Sequence, residues 1–308
     1  MADTIATHAE LSRQGVDHFY PIYKDKQRKL YNKYGPTHVP TTKEYERMYQ
    51  EGDFPLPTAV SEGTAIPIVT FMTGNNKDYY WVKRALGWRA TYEKLQTDQY
   101  GITKKASKKM AVSMENGKEA TFIALINNMT STGAAYVGPD AVALVSASHS
   151  TNGGNSTNRG IDASSTDADL SVAGVEGMLA VAENILSEEG NPMMDMGPFK
   201  LWCHPSNHAL AWRIVNTMNG GQPGTSDHDK SYIGNMISSD VISNPWQTDT
   251  DAWGLVNTGN NGLIHLTHGA QLTEEERDKQ HQHVSFYTSE KWLFHYFDWR
   301  GFYGTVGA

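Results

Sequence analysis

Histidine supplies the first candidates for chemistry in this chain. Twelve are present, and three groupings have a spacing that a reaction or a metal could use. His149 sits between Ser148 and Ser150 in the run LVSASHSTNGGNSTNRG, Leu144 to Gly160, where a serine beside a histidine suggests a nucleophile with its base. His204 and His208 stand four apart, which on a helix places two metal ligands on one face. His281 and His283 alternate, so on a strand they share a face.

None of the three completes a site. Neighbours along a strand point to opposite faces, so Ser148 and Ser150 cannot easily present their hydroxyls to His149, and a triad also needs an orienting group and an oxyanion hole. The loop TNGGNSTN supplies glycine for positive φ and asparagine for local hydrogen bonds, which reads as a shaped excursion. His204 precedes Pro205 and is biased out of the helical region, so a helix cap is the better reading. His281 and His283 lack a third ligand. Gly117-Lys118 is followed by Glu119 and has Val112 where a phosphate loop needs glycine, and no GxGxxG, GxSxG or HExxH occurs. Asp249 and Asp251 lack the glycine and terminal glutamate of a calcium loop. The expectation is no enzyme: no catalytic residue, no cofactor and no metal.

Composition narrows the class. With 308 residues, 39% hydrophobic and 19% charged, the chain can bury a large core without staples. A single cysteine, Cys203, excludes an internal disulfide. The first residues lack the pattern of a signal peptide, and no apolar run approaches a membrane span of about 18 residues. The triplets at Asn128 and Asn155 therefore read as incidental. A net charge of -8 argues against a dedicated nucleic-acid binder. Two basic clusters run against that sign: Lys24, Lys26, Arg28, Lys29 and Lys33, and then Lys104, Lys105, Lys108 and Lys109.

The elements follow from periodicity. Capping boxes at Thr7 to Glu10 and Thr41 to Glu44 predict two short helices in a proline-interrupted segment whose tyrosines need a surface elsewhere. Ala65 to Phe71, the turn-rich TGNNKD and Tyr79 to Leu95 predict a long hairpin with a polar tip. Phe122, Leu125, Ile126 and Met129 predict one buried face of a helix over residues 102–129, interrupted only weakly by Asn116-Gly117. Ala141 to Ser146 predicts a strand. A helix capped by Asp169 or Ser171 carries Val175, Met178, Leu179, Ala182, Ile185 and Leu186, and ends at Gly190 and Pro192. The strand FKLWCH leads into a helix with Pro205 in its first turn, Leu210, Ile214, Val215 and Met218 inward, and Gly220-Gly221 as its stop. DVISNP and AWGLV read as buried strands, and the last quarter is rich in β-forming aromatics. The mixture predicts an α+β fold.

The order LVSASHSTNGGNSTN, DADLSVAGVEGMLAVAENI, FKLWCHPSNHALAWRIV, DVISNPWQTDTDAWGLV resembles tailed-phage major capsid proteins of the Hong Kong 97-type fold, in the branch similar to Mu-like major head subunits. Leu144, Ser146, His149, Gly154, Asn158, Leu170 and Ser171 carry that branch's pattern. The resemblance implies an N-terminal arm over residues 1–61, an extended loop over 62–96, a peripheral domain with a spine helix over 97–129, an axial domain over 130–269, and peripheral return strands over 270–308.

It also implies the function of a major capsid protein in the virion, self-assembling in the host cytoplasm into hexamers and pentamers that close an icosahedral shell around double-stranded DNA. The expected partners are copies of itself, a separate scaffolding protein, a portal, a decoration protein, and DNA held without sequence preference, with no membrane. Lys77, Lys83 and Lys94 lie where certain relatives form a crosslink, but no glutamate base or partner residue is evident. The alternatives are an encapsulin-like shell and a soluble α+β hydrolase or metalloenzyme.

Overall fold

The computed structural model describes residues 20–69, 73–91, 93–94, 97, 101–151, 153–160, 167–193, 197–216, 232–278 and 280–307. Its strands in chain order are β1 (Thr37–Thr41), β2 (Tyr45–Glu51), β3 (Thr73–Tyr80), β4 (Val82–Thr91), β5 (His149–Thr151), β6 (Gly154–Ser156), β7 (Phe199–Cys203), β8 (Ile242–Ser243), β9 (Trp253–Asn257), β10 (Leu263–His268), β11 (Leu272–Asp278), β12 (His283–Tyr296) and β13 (Phe302–Thr305). The longer helices are α1 (Ile102–Asn127), α2 (Val172–Glu183) and α3 (His208–Asn216). The fold is α+β, as the sequence predicts.

The first sheet is organised by β12, the longest strand. Antiparallel β4 pairs along one edge from His283↔Thr91 to Trp292↔Val82. Antiparallel β11 and β10 pair with successive stretches of β12, and β1 extends the sheet parallel to β10. Against β12 and β4 lies α1, burying Met110, Met114, Phe122 and Ile126. Its 26 residues span about 39 Å without a break. Gly117 does not interrupt it, because a Cβ there would meet nothing nearer than Trp292 at 3.8 Å.

Charge is buried along the same seam. Lys118 of α1 is only 7% exposed and lies 3.1 Å from Glu115 and 2.7 Å from Glu290 of β12, while Lys24 reaches Glu290 from the arm. Burial alone would raise the Glu290 carboxyl, but Lys118 and then Lys24 outweigh it and hold it below the usual value. Lys24 fares differently: burial and repulsion from Lys118 lower it despite its contact with Glu290. The core pair is therefore Lys118 with Glu290. The next residue of α1, Glu119, accepts from the Leu30 and Tyr31 amides and from the Asn244 side chain, pinning the arm and the end of β8 to the helix.

A second sheet has the order β13, β9, β7, β8, with α2 packed on β9 and α3 on β7. Gly254 is required in β9, since a Cβ would fall 2.0 Å from the Tyr303 carbonyl oxygen. The Ser171 hydroxyl caps α2 by accepting from the Gly174 amide, Asp169 does not, and the helix stops at Glu183. Ile185 is fully buried just beyond it.

Four expectations need correction. The Thr41 to Glu44 box opens no helix: Thr41 ends β1 and donates to Glu46 at 2.6 Å, and residues 45–51 are a strand. Tyr45, Met48 and Tyr49 fit helical spacing too, but β3 supplies long-range backbone partners and Asp78 a cross-strand ion pair for Arg47. The TGNNKD segment is no tip, because most of it lies in β3 opposite β2, and residues 52–69 carry no strand. Ala141 to Ser146 makes one isolated bridge, Val137 with Ala143. There the Asn158 side chain bonds the backbone of Leu144 and Ser146 in place of a partner strand. Leu210 points outward at 38% exposure, since Ala211, Ile214 and Val215 already form the inward line of α3. Thr7 to Glu10, Phe71, Met218 and Gly220-Gly221 lie outside the described residues.

Two outcomes test this seam. Gly117→Ala is expected to raise stability by about 0.5–1 kcal/mol in urea denaturation, because helix propensity improves where space is open. Because the folded Glu290 carboxyl lies below its ordinary 4.5, its contribution is present above that pH and is lost as pH falls through the depressed value. Glu290→Gln is expected to flatten the acid limb of the stability profile, read by chemical denaturation across pH.

Candidate functional site

His149 opens β5 with its side chain fully buried. Its Nδ1 lies 2.7 Å from Asp140 Oδ2, its Nε2 lies 3.2 Å from Asn158 Oδ1, and its ring stacks on Trp299 at 4.0 Å and 8°. The Asn158 amide orientation is set by its own partners: Nδ2 donates to Leu144 O at 2.7 Å and Phe302 O at 2.9 Å, and Oδ1 accepts from the Ser146 amide at 2.9 Å. An acceptor oxygen therefore meets each ring nitrogen. This resembles the carboxylate–histidine half of an acid–base site, but the outer nitrogen is held by Asn158 where a substrate or nucleophile would stand. Ser148 and Ser150 are exposed while the ring is sealed, so the three side chains do not converge. The arrangement clasps the chain around residue 140, the β5 and β6 hairpin and the C-terminal Trp299 to Phe302 segment.

The remaining candidates are also separated. His204 Nδ1 accepts from the Ser206 amide at 3.2 Å, which makes it a cap on the turn Pro205–Asn207. His281 pairs with Asp278 at 2.6 Å, with the His283 ring 6.1 Å away. Asp249 accepts from the Asp251 amide in a tight turn. Among the described residues no group of three or more His, Cys, Asp or Glu could hold a metal. Cys203 is buried, and burial pushes its thiol up to about 12.

The basic clusters divide. Lys24 turns inward and Lys33 pairs with Asp240 at 2.6 Å, so the first is no uniform face. Lys104, Lys105, Lys108 and Lys109 all lie exposed on the opening turns of α1. Lys77 donates to the Val137 and Ala134 carbonyls, and Lys83 and Lys94 are exposed.

The largest incomplete feature is the loop joining β2 to β3. Leu56 is 70% exposed, Ile66 79% and Ile68 97%, beside exposed Phe54, Val60 and Val69. Three prolines, Pro55, Pro57 and Pro67, remove amide donors from it. Its own subunit buries almost none of it. Sequence patterning shows the apolar residues but not their exposure. It also missed Asp140 and Trp299 as partners of His149, since neither stands at a diagnostic spacing.

Residues 76–304 match the family described as phage capsid protein. No curated protein matches the chain. Its fold is similar to that of the virus-like particle from Pyrococcus furiosus, at 12% identity and a TM-score of 0.53 over 95% of this chain and 98% of that one. It is also similar to the capsid of the native GTA particle, at 10% identity and 0.56 over 92% and 91%. The capsid of cyanophage P-SCSP1u is similar at 9% identity and 0.56 over 89% and 86%. Identities this low speak for fold alone.

His149→Ala is expected to cost about 3–5 kcal/mol in chemical denaturation, because it leaves the Asp140 carboxylate buried without its partner and Trp299 without its stack. A loss below about 1 kcal/mol would mean the clasp is not structural.

Proposed function

Because the chain belongs to the phage capsid protein family, its work is to build the shell of the virion, and we propose that it does so as the major head subunit, in hexamers and pentamers closing around double-stranded DNA. The observation that carries this reading is the exposed apolar loop between β2 and β3. An apolar surface that its own chain leaves in water marks a contact with another protein. A neighbouring copy that covers Leu56, Ile66 and Ile68 completes the packing, and head-to-tail contacts of that kind close into rings.

The proposed division keeps an arm over residues 1–61, an extended loop over 62–96, a peripheral domain over 97–129, an axial domain over 130–269 and return strands over 270–308. The β2 and β3 hairpin straddles its first boundary. Proposed partners are a separate scaffolding protein, a portal, a decoration protein and DNA, the last met by the exposed lysines of α1 without reading sequence. Assembly is proposed to take place in the host cytoplasm. Among the described residues no helix is long and apolar enough to cross a membrane. We propose no catalytic, cofactor or metal role for any residue, since the histidines do not converge with a nucleophile. The likeness to the Pyrococcus furiosus particle favours a second reading, an encapsulin-like shell around another cargo.

Expressed protein is expected to form rings or closed shells in negative-stain electron microscopy. The triple variant Leu56→Asp, Ile66→Asp, Ile68→Asp is expected to keep the wild-type circular dichroism spectrum and sediment as unassembled subunits. Shells formed equally well by that variant would overturn the loop's role. The contents of purified particles, nucleic acid or another cargo, separate the phage head from the encapsulin-like shell.

A further inference from the structure

A cavity of about 340 Å³ lies where the arm, β1, β10, α1 and β12 meet, away from the exposed loop. Two nitrogens belonging to residues that line it are buried without a hydrogen-bond partner: Nε2 of His265 and Nε1 of Trp292. His265 is 9% exposed and Trp292 1%. Buried polar atoms left unpaired are costly, so two around one cavity point to a ligand that pairs them.

The charge around the cavity indicates its sign. Lys118 and Lys24 already share Glu290. Lys29 also lines the cavity and carries no carboxylate partner among the described residues, whereas Lys291, next to Trp292 on β12, turns to the other face of the sheet, where its ammonium lies over the Trp81 ring at 4.3 Å. Asp25 is the one opposing carboxylate left at the cavity once Glu290 is paired. Ammonium, imidazole and indole N–H groups are all donors, which is the set an oxyanion takes.

We propose that this cavity binds a small oxyanion of the phosphate class, held by Lys29 with the His265 and Trp292 nitrogens beneath it. The source is free anion rather than a nucleic-acid backbone, because the unpaired nitrogens are buried and a polymer's phosphodiester must lie across the opening. The bound anion would join the arm to the sheet at the Lys118 and Glu290 seam.

The pH dependence has a definite sign. His265 is pushed down to about 3 by burial, then by Lys118, His38, Lys29 and Lys24. Asp25, Glu290 and Tyr31 also line the cavity. An anion placed there favours the charged ring, so binding tightens as pH falls. Sulfate is the probe for that series, since its own charge is constant over the range.

Isothermal titration of the full chain with inorganic phosphate is expected to show saturable binding of one anion per chain, accompanied by a higher melting temperature. Lys29→Gln is expected to weaken it by at least about tenfold while keeping the wild-type circular dichroism spectrum. Lys29→Arg retains charge and is expected to bind. Absent saturation, equal affinity in the glutamine variant, or binding of oligonucleotide without binding of free phosphate would each overturn the proposal.

Discussion

The packing of α1 on β12 is the constraint on which the rest depends. Helix and strand are the longest elements of each kind among the described residues, and nearly every other part is placed by one or the other. On β12 hang β4, β10 and β11, and through β10 also β1. On α1 hang the arm and β8, through Glu119. The seam between them is apolar toward Phe122 and Ile126 and ionic at Lys118, where the ammonium lies among Glu115, Glu290 and the Trp292 ring. An ion pair sealed this deeply adds little over a well-packed apolar pair, but breaking it by removing one partner is costly. It therefore fixes register more than it adds stability: Lys118 and Glu290 cannot slip past one another without stranding charge.

That framework carries a segment that is not itself finished. The strands β2 and β3 pack on the first sheet through Met48 and Tyr79 and are joined by a proline-rich apolar loop in water. A monomer with such a loop exposes a surface prone to association, whereas a shell subunit uses the same surface as its joint. Membership in the phage capsid protein family and this geometry point the same way from independent starting points.

The histidine clasp shows how catalytic-looking residues serve structure. Asp140, His149 and Asn158 have the hydrogen-bond order of an acid–base relay, yet every polar atom faces backbone or another member of the cluster. Segments up to about 160 residues apart in the chain meet there, which suits a subunit that must hold its shape under load from its neighbours.

Sequence by itself determined the elements whose cause is local. The period of Phe122, Leu125, Ile126 and Met129 is enough for α1, the choice of Asp169 or Ser171 for the start of α2, and Pro205 for the turn before α3, because backbone hydrogen bonds and apolar stripes in helices span only a few residues. The order of those elements also sufficed for the family. What only the tertiary structure decided was everything that depends on a distant partner. Residues 45–51 carry a helix-like spacing and became a strand when β3 came alongside. Residues 141–146 look like a strand and lost it because Asn158 took their backbone groups. Leu210 lost its inward place to Ala211, and the loop of Leu56, Ile66 and Ile68 was left in water. Strand pairing and burial are long-range: the groups that satisfy them lie tens to hundreds of residues away, and no local pattern names them.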